Sequence, residues 1–147
     1  IVKLGNNYVT ATTKVINPKD LSNYSAVLVK FNKSGEKIDD VKYSSSDITY
    51  FKDIVLDKDN NIIVCGHTGK QVNNVLESDA VIVKYDKDLY EEESNILKGN
   101  NNDFYNMVYL SDENVLALGY SNSDLKEIDS NGYDYFPIIK NYNDDLK

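Results

Sequence analysis

Asp79-Ala80-Val81-Ile82-Val83-Lys84-Tyr85-Asp86 is the stretch on which the fold turns. Its centre recurs upstream as Ala26-Val27-Leu28-Val29-Lys30-Phe31, and a variant recurs downstream as Phe136-Pro137-Ile138-Ile139-Lys140. Each copy is a continuous, mostly β-branched run, too short for a helix and with no polar face. Such a run fits a strand covered on both sides. Working outward, a second set of positions aligns without a gap: Ile1, Ile54 and Met107; Val2, Val55 and Val108; Val9, Ile62 and Val115; Ala11, Val64 and Ala117; Thr13, Gly66 and Gly119. Phe51 and Phe104 stand three residues before the second and third anchors. A unit of about 53 residues therefore occurs almost three times, a period typical of repeat architectures.

Each unit reads as four short strands. In the middle copy the first spans Phe51 to Leu56, and Asp57-Lys58-Asp59-Asn60-Asn61 is a turn by composition. Ile62 to Gly66 is the second strand, a loop with little apolar content follows, and Ala80 to Tyr85 is the third. Asp86-Lys87-Asp88, like Asn32-Lys33-Ser34-Gly35 in the first copy, makes another turn. The last strand, near Leu89 to Leu97 or Ile38 to Tyr43, is polar and charged, as suits a sheet edge guarded against unwanted pairing. No stretch keeps a 3.6-residue apolar period, so no helix is expected.

Apolar inner strands beside a polar outer one are what a stacked β-propeller blade requires. The Asp79–Asp86 segment resembles the bacterial β-propeller repeats whose blades carry an Asp-Ala-Val-Ile-Val-Lys-Tyr-Asp motif, with a Gly closing the preceding strand, here Gly66 and Gly119. The resemblance implies an all-β, propeller-like array of antiparallel four-stranded blades: residues 1–47, 48–103 and an incomplete 104–147. Thr13 departs from the Gly, and Pro137 inside the third copy's core strand implies a bulge or an edge. About eleven strands fall short of the four to eight blades of a closed ring. The array is then an open arc, or is completed by another chain, or the strands form a sandwich instead. An open arc exposes apolar blade faces and favours self-association.

The net charge is -8 and all 16 cations are Lys. That balance argues against a nucleic-acid partner, which needs clustered cations, and removes bidentate Arg clamps. The single cysteine, Cys65, excludes an internal disulfide. No apolar run approaches the roughly 18 residues of a membrane span. Ile1 opens the chain inside an apolar segment with no signal peptide, which points to a piece of a longer protein. Heavy use of Lys, Asn, Asp, Tyr and Ile suggests an AT-rich bacterial genome.

Few residues carry candidate chemistry. Cys65 and His67 lie two apart on one strand face, where a thiolate dyad would sit. The repeat assigns them to ordinary positions, Cys65 with Thr12 and Leu118, His67 with Lys14 and Tyr120. Asp57, Asp59 and Asn61 alternate like the opening of a calcium loop, although the later Gly and Glu are missing. Hairpin turns select the same residues for backbone reasons. The variable loops between second and third strands, Lys14 to Ser25, His67 to Asp79 and Tyr120 to Asp134, are the natural place for binding. The third is acidic through Asp124, Glu127, Asp129 and Asp134, and could hold a cation or a basic partner. Twelve tyrosines without a Trp offer contact surface, some of it core. Lys30, Lys84 and Lys140 fall on one repeat position and read as side chains snorkelling along blade surface. Two glycosylation-type triplets, Asn23-Tyr24-Ser25 and Asn32-Lys33-Ser34, are accidental in a bacterial protein.

The expectation is a non-catalytic binding or scaffold segment of a bacterial cell-surface or extracellular protein, with a protein or glycan partner. The alternative is a fragment of a propeller enzyme, a polysaccharide hydrolase or lyase, whose active site needs further blades.

Overall fold

The computed structural model describes residues 1–17, 20–43, 48–72, 75–99, 102–111, 114–122 and 136–147. Among them every regular element is a strand: β1 (Val2–Leu4), β2 (Asn7–Asn17), β3 (Asp20–Phe31), β4 (Lys37–Lys42), β5 (Ile48–Leu56), β6 (Ile62–Val72), β7 (Val75–Tyr85), β8 (Glu91–Leu97), β9 (Asp103–Leu110), β10 (Val115–Ser121) and β11 (Phe136–Tyr142). They form three antiparallel sheets, β1-β2-β3-β4, β5-β6-β7-β8 and β11-β10-β9. The all-β expectation holds, with one sheet per repeat. No described helix is long and apolar enough to cross a membrane.

Two hydrophobic clusters join the sheets. Val9, Ala26 and Leu28 of the first sheet pack on Ile54, Ile62, Val64, Val81, Val83 and Tyr85 of the second. The opposite face of the second sheet, with Ile63, Cys65, Ala80 and Ile82, packs on Tyr105, Val108, Val115, Ala117 and Tyr142 of the third. Adjacent residues of β6 thus serve different clusters, which is why that strand reads as a continuous apolar run. The outer strands β4 and β8 are mostly exposed and charged, as an edge should be.

The register shifts the repeat by one residue in places. Phe51 lies opposite Gly66 and Asp53 opposite Cys65, so Lys52 is a bulge. Tyr105 lies opposite Gly119 and Met107 opposite Leu118, so Asn106 is its counterpart. Five residues, 57–61, separate β5 from β6, against four, 111–114, between β9 and β10. Asp53 rather than Ile54 therefore corresponds to Met107. In the first sheet Val9 lies opposite Lys30 as Ile63 lies opposite Lys84. Val9 thus matches Ile63, Thr12 matches Gly66, and Ala11 matches Cys65. In the third, Asn141 faces Leu116 and Lys140 faces Ala117. Asn141, not Lys140, occupies the position of Lys30 and Lys84.

The glycines mark the bulges. A Cβ on Gly66 would lie 1.8 Å from the Tyr50 carbonyl oxygen, and one on Gly119 would lie 1.7 Å from that of Phe104. The bulged first strand presses its backbone onto the second, and only Gly leaves room. In the first sheet β1 pairs only with Asn7, Tyr8 and Val9. Thr12 pairs with Val27 of β3, and β1 does not reach it.

The expected loop between second and third strands is a hairpin extension in the first two sheets. β6 continues to Val72 and β7 begins at Val75, with Lys70 opposite Glu77; β2 and β3 extend likewise to Asn17 and Asp20. At the tip of the second sheet's arm Gln71 lies opposite Leu76 and Val72 opposite Val75. Pro137 sits in β11, the outer strand of its sheet among the described residues, where a missing donor is tolerated.

Candidate functional site

Among the described residues a single five-residue turn is built four times. Asn32, Asp57, Asp86 and Asn143 each open it with a side-chain oxygen that accepts two backbone N–H groups. Asn32 Oδ1 takes those of Ser34 and Glu36, Asp57 Oδ1 those of Asp59 and Asn61, Asp86 Oδ1 those of Asp88 and Tyr90, and Asn143 Oδ1 those of Asp145 and Lys147. In each, the fourth residue donates to the carbonyl of the first and is left-handed: Gly35 at φ 82°, Asn60 at 66°, Leu89 at 68° and Leu146 at 54°. Asx side chains favour such turns because they replace a backbone acceptor.

This geometry accounts for the calcium-like alternation of Asp57, Asp59 and Asn61. Asp57 Oδ1 is engaged by its own turn, and Oδ2 accepts from Asn61 Nδ2 at 2.8 Å and faces Lys84 Nζ at 3.7 Å. Asp59 is exposed. No group of three or more His, Cys, Asp or Glu that could hold a metal occurs among the described residues.

Leucine at a left-handed position is unusual, since the side chain costs roughly 1–2 kcal/mol there. Leu89 and Leu146 offset that cost by burial, at 3% and 1% exposure. Each inserts into the cluster shared with the preceding sheet, Leu89 with the first and Leu146 with the second. A lysine of the preceding sheet then grips the same turn. Lys30 Nζ donates to the Lys87 carbonyl at 2.8 Å, and Lys84 Nζ to the Asp144 carbonyl at 3.2 Å. The lysines bridge consecutive units as well as covering apolar surface. Beside each junction opens a cleft. One of about 430 Å³ is lined by Leu4, Asn7, Lys30, Asn60 and Asp88; one of about 320 Å³ is lined by Asp57, Lys58, Asn114 and Asp144.

The opposite end of the sheets, where the long hairpins emerge, carries a ladder of rings. Tyr24 lies 5.3 Å from Tyr50, Tyr50 stacks on His67 at 4.9 Å, His67 meets the edge of Phe104 at 4.7 Å, and Phe104 lies 4.9 Å from Tyr120. The ladder touches all three sheets. Tyr50 and Phe104 are equivalent across the repeat, as are His67 and Tyr120. Burial, and secondarily the nearby Lys52 charge, lowers the His67 pKa to about 4, so the imidazole is neutral at pH 7. Its Nδ1 is buried without a hydrogen-bond partner.

Cys65 is fully buried, and burial, reinforced by Asp53, pushes its thiol up to about 12. A thiol held protonated beside a neutral, ring-packed imidazole is not an activated nucleophile. Asp53 instead serves the junction. Its Oδ1 accepts the Ile54 N–H at 2.9 Å and its Oδ2 the Val108 N–H of the third sheet at 3.0 Å.

Of the residues read from sequence as binding candidates, Asp124, Glu127, Asp129 and Asp134 lie outside the described residues. Asp57, Asp59 and Asn61 share one turn. Sequence reading missed the leucine-bearing turns and the ladder. The signals were present: Asp86-Lys87-Asp88-Leu89 matches Asn143-Asp144-Asp145-Leu146, and an aromatic stands before each bulge at Tyr50-Phe51 and Phe104-Tyr105. No protein-family model and no curated protein matches the chain.

Proposed function

We propose that the chain is a propeller-like segment in which each sheet is one blade, and that its role is non-catalytic: a scaffold or binding module of a bacterial surface or exported protein. The observation that carries this is the junction. Lysine, left-handed leucine and apolar faces recur from first to second and from second to third sheet. Units joined by a recurring junction stack as repeats do, and stacked repeats present their turns and hairpins as rows available to a partner. Residues that could have performed chemistry, Cys65, His67 and Asp57, are committed to packing and turn formation. The resemblance to bacterial propeller repeats and the Lys- and Asn-rich composition support the bacterial, exported setting.

A protein or glycan is the partner this surface suits, through the junction clefts or the hairpin end with its tyrosines. The test is incubation of the chain, and of longer forms that include its natural flanks, with a panel of bacterial polysaccharides. Retention of a glycan or protein without turnover is the expected outcome. Release of new reducing ends or unsaturated sugars would establish a propeller enzyme and overturn the scaffold reading.

A further inference from the structure

The clefts beside the two junctions occupy equivalent places and differ in charge. At the first, Leu4, Asn6 and Asn7 of the first sheet meet Asn60 and the Lys87-Asp88 turn of the second. At the second, Asp57 and Lys58 of the second sheet meet Ser111, Asn114 and Asp144 of the third. The second sheet is covered by the first on its other face, and its cleft stays open. The opening therefore belongs to the junction and not to an end of the stack.

In the second cleft Asp57 and Asp144 stand against Lys58 and the clamping Lys84, so charge balances. In the first, Lys30 and Lys87 stand against Asp88 alone. One positive charge is left over, in a chain whose net charge is -8. Lys30 Nζ donates to the Lys87 carbonyl and lies 4.0 Å from Asp88, too far for a hydrogen bond. The rest of its three N–H groups face the cleft unused. The carboxamides of Asn6, Asn7 and Asn60 make no hydrogen bond among the described residues. Asn32, Asn61 and Asn143 by contrast use theirs inside their own turns. Each carboxamide in the cleft offers two donors and an acceptor. Leu4 and the lysine stems add apolar surface. The volume, about 430 Å³, falls in the range of small-molecule sites.

We infer that the first cleft binds a sugar unit bearing one carboxylate, a hexuronate of an acidic polysaccharide. The carboxylate takes the uncompensated charge at Lys30 and Lys87, the hydroxyls take the three carboxamides, and the C–H face of the ring lies against Leu4. A monoanion matches the single surplus charge, which would leave a phosphate dianion only half neutralised. The inference rests on the non-catalytic, glycan-binding reading above and names its ligand.

Heteronuclear NMR titration of the 147-residue chain with trigalacturonate at low salt tests it. The side-chain amide signals of Asn6, Asn7 and Asn60 are expected to shift and saturate, and the methyl-esterified trimer to bind more weakly. Lys87→Asp reverses the charge at an exposed position whose counterpart in the third sheet is already Asp144, so the fold tolerates it. It should weaken binding of the acid about tenfold and spare the ester. Asn60→Gly keeps the left-handed turn and should weaken acid and ester alike. No shift at millimolar trigalacturonate overturns the inference and leaves the scaffold reading standing. Equal affinity for acid and ester, or binding that Lys87→Asp leaves untouched, overturns it as well. So does displacement of the trimer by inorganic phosphate at equal concentration, which marks a general anion site. Cleavage of the bound trimer would instead refute the non-catalytic reading and leave the site in place.

Discussion

The junction between the first and second sheets and that between the second and third share one mechanical plan and differ in their polar chemistry. Both have a lysine reaching a backbone carbonyl of the next unit's turn, and both bury a left-handed leucine. At the second junction Tyr105 and Tyr142 face each other with hydroxyls 2.7 Å apart, buried. At the first, the equivalent residues are Phe51 and Tyr85, and the Tyr85 hydroxyl is buried without a partner. His67 enters only the second junction; its counterpart in the first sheet is Thr13. Shape is therefore copied from unit to unit, while hydrogen-bond satisfaction is settled locally.

The largest effects should come from the shared plan. Leu89→Ala and Leu146→Ala each empty a buried site, and each should cost about 3 kcal/mol by urea denaturation. Glycine should be the milder replacement at both positions, by about 1 kcal/mol, because it removes the left-handed strain that alanine keeps. Elsewhere in a strand or helix the order of Ala and Gly is the reverse. If alanine is better tolerated than glycine, the leucines are not held by the turn as described.

Acid should separate the junctions next. In the unfolded chain His67 protonates near 6.5, and in the fold only near 4. Between these values the unfolded state binds more protons. Stability is therefore full above pH 6.5 and falls as the pH drops toward 4, by up to about 1.4 kcal/mol per pH unit. Hydrogen exchange should rise first in β9 and β10, which contact the His67 ring through Phe104. His67→Phe should flatten the stability profile between pH 7 and 5; an unchanged slope would place the titrating group elsewhere.

One substitution at equivalent positions should then change sign. Tyr142→Phe strands the Tyr105 hydroxyl in the core and should cost about 1–3 kcal/mol. Tyr85→Phe deletes a hydroxyl that has no partner and should be neutral or stabilising by about 1 kcal/mol. Equal losses at both sites would mean that the two junctions satisfy their tyrosines alike.

Period, strand order and the apolar runs were legible in the sequence, because a strand covered on both faces has a composition that nothing else here shares. Its register was not legible, for the same reason. Ile62, Ile63 and Val64 look alike when shifted by one, and no alternation fixes which faces which sheet. Letters alone cannot show that Lys52 and Asn106 are bulged out, or that the turn after Leu110 is one residue shorter than that after Leu56. Hence the letters pair Lys140 with Lys84, and Thr13 with Gly66, where the register pairs Asn141 and Thr12. The hairpin extension past Gly66 reads as loop because its residues, His67-Thr68-Gly69-Lys70-Gln71, follow no apolar alternation. Of the candidate site, Asp57 was found but its partners were not. The lysine that faces it comes from β7, and that proximity exists only once β6 and β7 have paired.

The smallest expected difference lies in the clamps. Lys30→Met removes a bond to a carbonyl and a distant pair with Asp88, whose side chain is 53% exposed at 4.0 Å. Water replaces that pair almost without loss, so the cost should be about 0.5–1 kcal/mol, carried by the backbone bond. Lys84→Met also takes the cation from Asp57, whose side chain is only 16% exposed at 3.7 Å. A carboxylate so placed loses more when its partner goes, and the cost should reach about 1–1.5 kcal/mol. Adding 1 M salt screens the ionic part and spares the carbonyl bond. The two penalties should therefore converge as salt rises, with Lys84→Met moving the more. If they stay apart in high salt, the difference is packing of the lysine stem against the junction rather than charge.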